Sequence, residues 1–276
     1  MTATTPSTAV PHKAVALAAE VLRDAQRTGR PCGPVRELIG DSDIATAYAV
    51  QQELTRHRLA EGATVVGRKI GLTSAAVQNQ LGVDRPDFGV LFDDMDVTAV
   101  PEVPSERLLQ PKVEAEVAFV LGADLDHPEL DLDTVRAAVD HAVAALEIVD
   151  SRVAGWDIRI TDTVADNASS GLFVLGDRPA NLADVEPRDV TMRMFINDTC
   201  VSEGDGAACL GDPLEALLWL ARTAREYGEP LRAGQVVLSG ALGAMAPVRP
   251  GDTVRAEISS LGTVTAHFST PDKKDQ

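Results

Sequence analysis

An α+β fold is predicted, with a helical N-terminal portion wrapped on a β-rich core. Two amphipathic stretches lie close together at residues 12–29 and 43–60. Strand-like runs bounded by Gly, Asn, Asp or Pro then dominate from residue 112 onward. The third observation is compositional. With 276 residues, 45% hydrophobic and 24% charged, the chain can bury a sizeable core without covalent staples. The organisation expected is a helical region over residues 1–63 followed by a β-rich core over 64–276.

The elements follow in order. Val15, Ala18, Val21, Leu22 and Ala25 recur at helical spacing, and Gly29 ends that helix before Pro31 and Pro34. Ser42 and Asp43 offer caps for the second helix, which shows Ile44, Ala47, Tyr48, Gln51 and Leu54 on one side. Val65 to Ile70 reads as a strand, and Thr73 or Ser74 as the cap of a short helix through Leu81. A turn is expected at Asp84-Arg85-Pro86-Asp87. Strands are expected at 112–121, 147–150, 172–175, 190–196, 235–239 and 253–268, interrupted by helices near 133–145 and 213–227. Asn197-Asp198, Pro250-Gly251-Asp252 and Ser260-Leu261-Gly262 are turn signals.

Charge excludes some functions. Lys and Arg number 25 against 42 Asp and Glu, a formal net charge of −17. Such a surface repels phosphate backbones and anionic lipid, so neither nucleic acid nor membrane is an expected partner. Cys32, Cys200 and Cys209 have no paired spacing, which argues against a disulfide framework or structural zinc and for a reducing compartment. No apolar run reaches 18 residues and no leader pattern is visible, so a cytoplasmic protein is expected. No histidine sits in a nucleophile motif, which disfavours a triad hydrolase.

The most informative stretch is Lys112-Val113-Glu114-Ala115-Glu116-Val117-Ala118-Phe119. On a strand, Glu114 and Glu116 share one face and Val113, Ala115, Val117 and Phe119 the other. Neighbouring carboxylates repel unless a cation neutralises them or the face is open to water; alternation alone leaves both readings open. Asp133 then caps a helix leading into Glu147-Ile148-Val149-Asp150, a β-α-β unit whose strands would lie parallel. Glu147 would thereby meet Glu114 and Glu116. Three carboxylates make a hard oxygen site suited to Mg²⁺ or Mn²⁺.

Five ordered motifs carry a resemblance: Gly67-Arg68-Lys69-Ile70-Gly71-Leu72-Thr73-Ser74, Arg85-Pro86-Asp87-Phe88-Gly89, Pro111-Lys112-Val113-Glu114-Ala115-Glu116, Glu147-Ile148-Val149-Asp150-Ser151-Arg152, and Asp162-Thr163-Val164-Ala165-Asp166-Asn167-Ala168-Ser169-Ser170. Together, from about residue 43 to 268, they resemble the 2-keto-4-pentenoate hydratase family of the fumarylacetoacetate hydrolase superfamily. The resemblance implies a mixed β-roll core, a divalent metal (Mg²⁺ or Mn²⁺) on Glu114, Glu116 and Glu147, and a small 2-oxo or 2-hydroxydienoate substrate from aromatic or steroid ring degradation. It places Lys69 and Asp87 in catalysis and Lys69, Leu72, Ser169 and Gly240 against the substrate. A homo-oligomer and a following aldolase are the implied partners. Relatives include 4-oxalocrotonate decarboxylases, so decarboxylation is the alternative reaction, and a non-catalytic structural partner of a related enzyme is the alternative of another class. The run Val237-Leu238-Ser239-Gly240-Ala241-Leu242-Gly243 looks more like the hydratase branch, but Ala241 stands where many superfamily members carry a hydroxyl. Residue chemistry alone leaves bland alternatives: Lys69 projecting into solvent, Asp87 fixing a turn, and Asp162, Asp166 and Asn167 bonding backbone.

Overall fold

A computed structural model describes residues 12–74, 78 and 85–270. The expected short helix through Leu81 and the start of the turn at Asp84 lie outside the described residues. The chain opens with α1 (His12–Thr28), the single turn α2 (Arg36–Ile39) and α3 (Ile44–Ala60). On α1, Val15, Ala18, Ala19, Leu22 and Ala25 form the buried stripe that the spacing predicts. Asp43 caps α3, its Oδ1 accepting from the Thr46 amide at 3.0 Å.

Two sheets follow. The larger contains β1 (Val65–Gly71), β2 (Asp87–Phe92), β3 (Lys112–Leu121), β4 (Val139–Val149) and β5 (Ser170–Leu175). The smaller contains β6 (Thr191–Ile196) and β7 (Thr199–Asp205). β8 (Val236–Ala241) and β9 (Ala246–Pro247) return to the larger sheet, and β10 (Thr253–Ile258) and β11 (Gly262–His267) to the smaller. The larger sheet runs β2-β1-β8-β3-β4-β5, with β9 beside β3; the smaller runs β11-β10-β6-β7. Among the described strands, only β1 and β8 are parallel neighbours. The larger sheet curls into a half-barrel, the mixed architecture that the α+β reading anticipates. Between the strands lie α4 (Leu132–Ala138), α5 (Ile160–Ala165) and α6 (Pro213–Glu226).

The expected parallel β-α-β unit is not formed. α4 has seven residues, and the chain from Val139 onward is strand, pairing antiparallel with β3. A seven-residue helix advances about 10 Å, whereas recrossing a ten-residue strand needs roughly 33 Å. The run Ala142-Val143-Ala144-Ala145-Leu146 reads as helix because it is continuously apolar. A strand buried on both faces shows that same pattern, and periodicity alone cannot separate the two. All five of these residues are buried. The helix cap is Asp131, two residues before the expected Asp133.

One face of the larger sheet carries most of the core. Val113, Ala115, Val117 and Phe119 of β3 and Ala142, Ala144, Leu146 and Ile148 of β4 join residues of α1, α3, α6 and the smaller sheet in one cluster. A second, small cluster lines the opposite face: Leu91, Ala118, Val143, Ala145, Phe173 and Leu238. The N-terminal helices also reach the strands directly. Gln51 of α3 donates from Nε2 to the carbonyls of Phe88 (2.9 Å) and Val164 (3.0 Å). Asp162 of α5 accepts from the Arg36 amide at 2.8 Å and from Arg36 Nη1 at 2.7 Å. β2 and α5 are thereby held from behind. No helix among the described residues is long and apolar enough to cross a membrane.

Asp43→Ala should lower stability by about 1 kcal/mol, the usual worth of an N-cap, and leave kcat unchanged. A denaturant midpoint and a steady-state rate check the two halves of that expectation.

Candidate active site

Antiparallel register assembles the carboxylates. Glu114 lies directly opposite Glu147, and Glu116 is two residues along the same face of β3. One carboxylate oxygen from each lies within 4.8 Å of the other two. None is on a solvated outer face: Glu116 and Glu147 are 0% and 1% exposed, Glu114 8%. The apolar residues Ala118, Ala145 and Leu238 beside them offer no side-chain donor.

Lys69 comes from β1, on the same face. Its Nζ lies 3.1 Å from Glu147 Oε1, and it is 2% exposed, so the solvent-facing alternative is not what forms. Burial works against its charge, but Glu147 first, then Asp87, Glu114 and Glu116 outweigh that and hold its pKa above the ordinary lysine value. Burial also raises the Glu114 and Glu116 carboxyl groups. Glu114 is pushed up to about 7, with Glu147 adding to the effect, and Glu116 stands well above the usual carboxylate range.

Asp87 opens β2 opposite Gly71 of β1. Thr163 Oγ1, on α5, donates to its Oδ2 at 3.2 Å, while Oδ1 is buried without a hydrogen-bond partner. Burial raises its pKa, the Lys69 charge opposing. Gly71 is what lets these groups approach. A Cβ there would sit 2.3 Å from Asp87 Oδ1 and 3.4 Å from Lys69 Nζ. Gly240 acts behind Glu116: its N–H donates to Glu116 Oε2 at 2.7 Å, its φ of +115° suits glycine, and a Cβ would strike Thr73 at 2.4 Å.

A cavity of about 460 Å³ reaches Lys69, Asp87 and Glu114, with Glu116 and Glu147 buried behind its wall. Lys69, Leu72, Asp87, Glu114 and Ser169 line it, whereas Gly240 does not; Ala241, with only a methyl, takes that part of the wall. Val149, Ile158, Ala168, Ala208 and Met245 make much of the remainder apolar. Ser169 sits at φ +53° on a turn whose neighbours Asn167 and Ala168 are also left-handed. Thr163, Gly71, Lys112 and Trp156 are site residues that sequence reasoning passed over. Lys112 Nζ lies 4.0 Å from the Trp156 ring centre, and both line the cavity, so Trp156 is a wall residue rather than core. Two other hollows, one of about 690 Å³ lined by Tyr48, Trp219 and Tyr227 and one of about 140 Å³ lined by Arg58, Asp94 and Arg107, do not include the triad.

The donor set fits a divalent cation. It is all oxygen, the ligand type of Mg²⁺, Ca²⁺ and Mn²⁺. Glu116 Oε1 and both Glu147 oxygens are buried without a hydrogen-bond partner, Oε1 of Glu147 facing the lysine only as an ion pair. Ionised, as metal ligands must be, the three carboxylates would exceed the single Lys69 charge by two negative charges. An ion of charge +2 cancels that excess.

Known proteins carry the same arrangement of sequence and fold. The fumarylacetoacetate hydrolase C-terminal family model matches residues 73–269. A "TodF product hydratase" of Pseudomonas putida F1 is 55% identical over 256 residues, 93% of this chain and 96% of that protein. A 2-keto-4-pentenoate hydratase of Paraburkholderia xenovorans LB400 is 51% identical, covering 91% of this chain and 93% of the relative. Among solved structures, 4-oxalocrotonate decarboxylase from Pseudomonas putida G7, complexed with magnesium and adipate, superposes with a TM-score of 0.89 at 36% identity, over 95% of this chain and all of that one. The chain belongs to the 2-keto-4-pentenoate hydratase family of the fumarylacetoacetate hydrolase superfamily.

Proposed function

We propose that the protein is a metal-dependent hydro-lyase that adds water to a 2-hydroxypenta-2,4-dienoate-type substrate, giving a 4-hydroxy-2-oxo acid. The observation that carries the reading is the buried glutamate triad with Lys69 at one end of a largely apolar cavity. That geometry suits a short acid with a charged head and an uncharged tail. Glu114, Glu116 and Glu147 would hold Mg²⁺ or Mn²⁺, and such an ion, once bound, supplies Lewis-acid stabilisation of charge on the substrate carboxylate and C2 oxygen. Lys69 adds a fixed positive charge beside the same oxygens.

The reaction moves protons in two stages: the dienol loses its 2-hydroxyl proton and gains one at C5, and water then adds its hydroxyl at C4 while C3 takes up a proton. Asp87 is the group placed for this. One of its oxygens is held by Thr163 and the other is unpartnered beside the cavity. A carboxyl whose pKa is raised by burial exchanges protons more readily near neutral pH than an ordinary aspartate. Ser169 and Leu72 are proposed substrate contacts on the wall, and Gly240 contributes through Glu116. Identity of 49–55% to several hydratases, against 36% to the decarboxylase, supports hydration over loss of CO₂. Homo-oligomeric assembly and transfer of product to a following aldolase belong to the same proposal, supported by family membership alone.

Three outcomes test the reading. Exhaustive chelation should abolish turnover, with Mg²⁺ or Mn²⁺ restoring it, and Glu116→Gln should weaken metal binding. The Glu114 contribution to stability of the metal-free protein should be lost as pH rises from about 4.5 to 7. Glu114 keeps its proton to about 7 in the fold against an ordinary 4.5, so its contribution is complete below 4.5 and gone above 7. Melting curves with chelator show that slope, and saturating metal should flatten it; full activity in chelator would refute the metal site.

The product should retain every carbon, with label from H₂¹⁸O at C4. Faster CO₂ release from 4-oxalocrotonate would instead support the decarboxylase reading.

Lys69→Met should weaken binding of oxalate, a 2-oxo acid mimic, and slow turnover as well. Asp87→Asn should leave oxalate affinity near the parent value and lower kcat by about 10²–10⁴-fold, the usual worth of an acid–base group. A folded Asp87→Asn enzyme with parent kcat would make Asp87 a structural residue only.

A further inference from the structure

Asn167, Ala168 and Ser169 have φ values of +55°, +52° and +53°. Three consecutive non-glycine residues in the left-handed region are disfavoured, because each Cβ crowds the following carbonyl oxygen. Such a turn persists only where its surroundings hold it, and here both ends are held by one side chain. The Arg152 guanidinium, on a residue 7% exposed, donates from Nε to Asp166 Oδ1 and from Nη2 to the Asp166 carbonyl, just before the turn. Its Nη1 donates to the carbonyl of Ser170, just after the turn, at 2.6 Å, and to that of Asp150 at 2.7 Å. The Asp150 amide closes the ring by donating to the Ser169 carbonyl at 2.8 Å.

The turn faces two parts of the site. Ala168 and Ser169 line the cavity. Asn167 turns to β2, an edge strand, and pairs with Val90 as a neighbouring strand would. Its Oδ1 accepts from the Val90 amide at 2.7 Å, and its Nδ2 donates to the Val90 carbonyl at 2.9 Å. Gly89 packs so closely on the turn that a Cβ there would come within 2.4 Å of the Asn167 carbonyl oxygen. Asp87 is three residues upstream on the same strand.

We infer that Arg152 is a positioning residue for the reaction. It holds the left-handed turn 167–169, which sets Ser169 on the cavity wall and, through Asn167, the strand that carries Asp87. The inference rests on this cavity being the reaction site. Arginine suits the task because a planar fork reaches both ends of the turn at once, whereas a lysine supplies charge without the fork.

The test compares Arg152→Lys, Ala168→Gly and the double variant with the parent enzyme. Arg152→Lys keeps a cation near Asp166 and should fold, with Mn²⁺ affinity within about twofold of the parent. Its kcat should fall about 10–100-fold, the scale of a misplaced reacting group, while KM rises by less. Glycine tolerates positive φ, so Ala168→Gly in the Arg152→Lys background should recover about threefold or more of that loss, measured against Ala168→Gly alone. Parent kcat and KM in folded Arg152→Lys overturn the inference, as does no recovery by Ala168→Gly or a loss confined to metal affinity. Should Arg152→Lys not fold, Asn167→Gly decides: it leaves the buried ion pair intact and removes only the Val90 bonds, and parent kcat there overturns the inference. If the parent hydrates no dienoate, the function proposal fails separately, and calorimetric oxalate affinity with Mn²⁺ present replaces kcat in the same comparison.

Discussion

Desolvated negative charge is the constraint on which the rest of this structure depends. Three glutamates converge on one sheet face with almost no water contact, and apart from Lys69 and the Gly240 amide the residues beside them on that face include alanine and leucine, which donate nothing from their side chains. Hydrogen bonding answers only part of the cost, through the Gly240 amide on Glu116. The remainder must be met by positive charge or by protons. Lys69 supplies one such charge, itself buried and made tenable only by the carboxylates around it. The two halves of this cluster are mutually dependent: the lysine alone would be driven neutral by burial, and Glu114 and Glu116, already raised by burial, would hold their protons more tightly without it.

That constraint explains why the strands around the cluster carry so little side-chain bulk. β1 brings Gly71, β8 brings Gly240 and Ala241, and β4 brings Ala145 opposite Glu116. A methyl at Gly71 would displace Asp87, and one at Gly240 would meet Thr73. The regular sheet thus supplies fixed charge at fixed spacing. The irregular segments supply the groups whose placement can be tuned: the left-handed turn with Ser169, the α5 helix with Thr163, and the 3₁₀ turn with Trp156. Asp162, Asp166 and Asn167 support those segments, bonding Arg36, Arg152 and Val90 respectively.

Much of this was legible in the residues. Alternation in Lys112–Phe119 separates the glutamates from the core face, and the two N-terminal helices announce themselves by spacing and by the Asp43 cap. Glu147 was assigned to the same cluster, but through a parallel unit that does not exist. The antiparallel hairpin-like pairing of β3 and β4 brings Glu147 opposite Glu114 by register instead. The error has a physical source, since an alanine-rich strand buried on both faces has neither the period of a strand nor a breaker against helix. Thr163, Gly71 and Arg152 were invisible as individuals because their roles depend on partners distant in sequence: Asp87, 76 residues from Thr163, or the turn 14 and more residues beyond Arg152. Trp156 lacked any signal distinguishing a wall aromatic from a core one.

The roles proposed for Lys69 and Asp87, binding and proton transfer, match a contrast in how the two side chains are held. The two are close enough that one added methyl at Gly71 would touch both, yet they are held differently. Lys69 is tied by charge to Glu147, and four carboxylates raise its pKa, so its proton is locked in place. Asp87 is tied by one neutral hydroxyl, and burial moves its pKa toward the range where a proton is exchanged. A cation that cannot titrate gives a constant field for an anionic head group. A carboxyl with one oxygen fixed and the other unpartnered can gain or lose a proton without changing its position. Moving either group to the other's environment would destroy the division: a lysine against a hydroxyl would shed its proton on burial, and an aspartate against the glutamates would never release one.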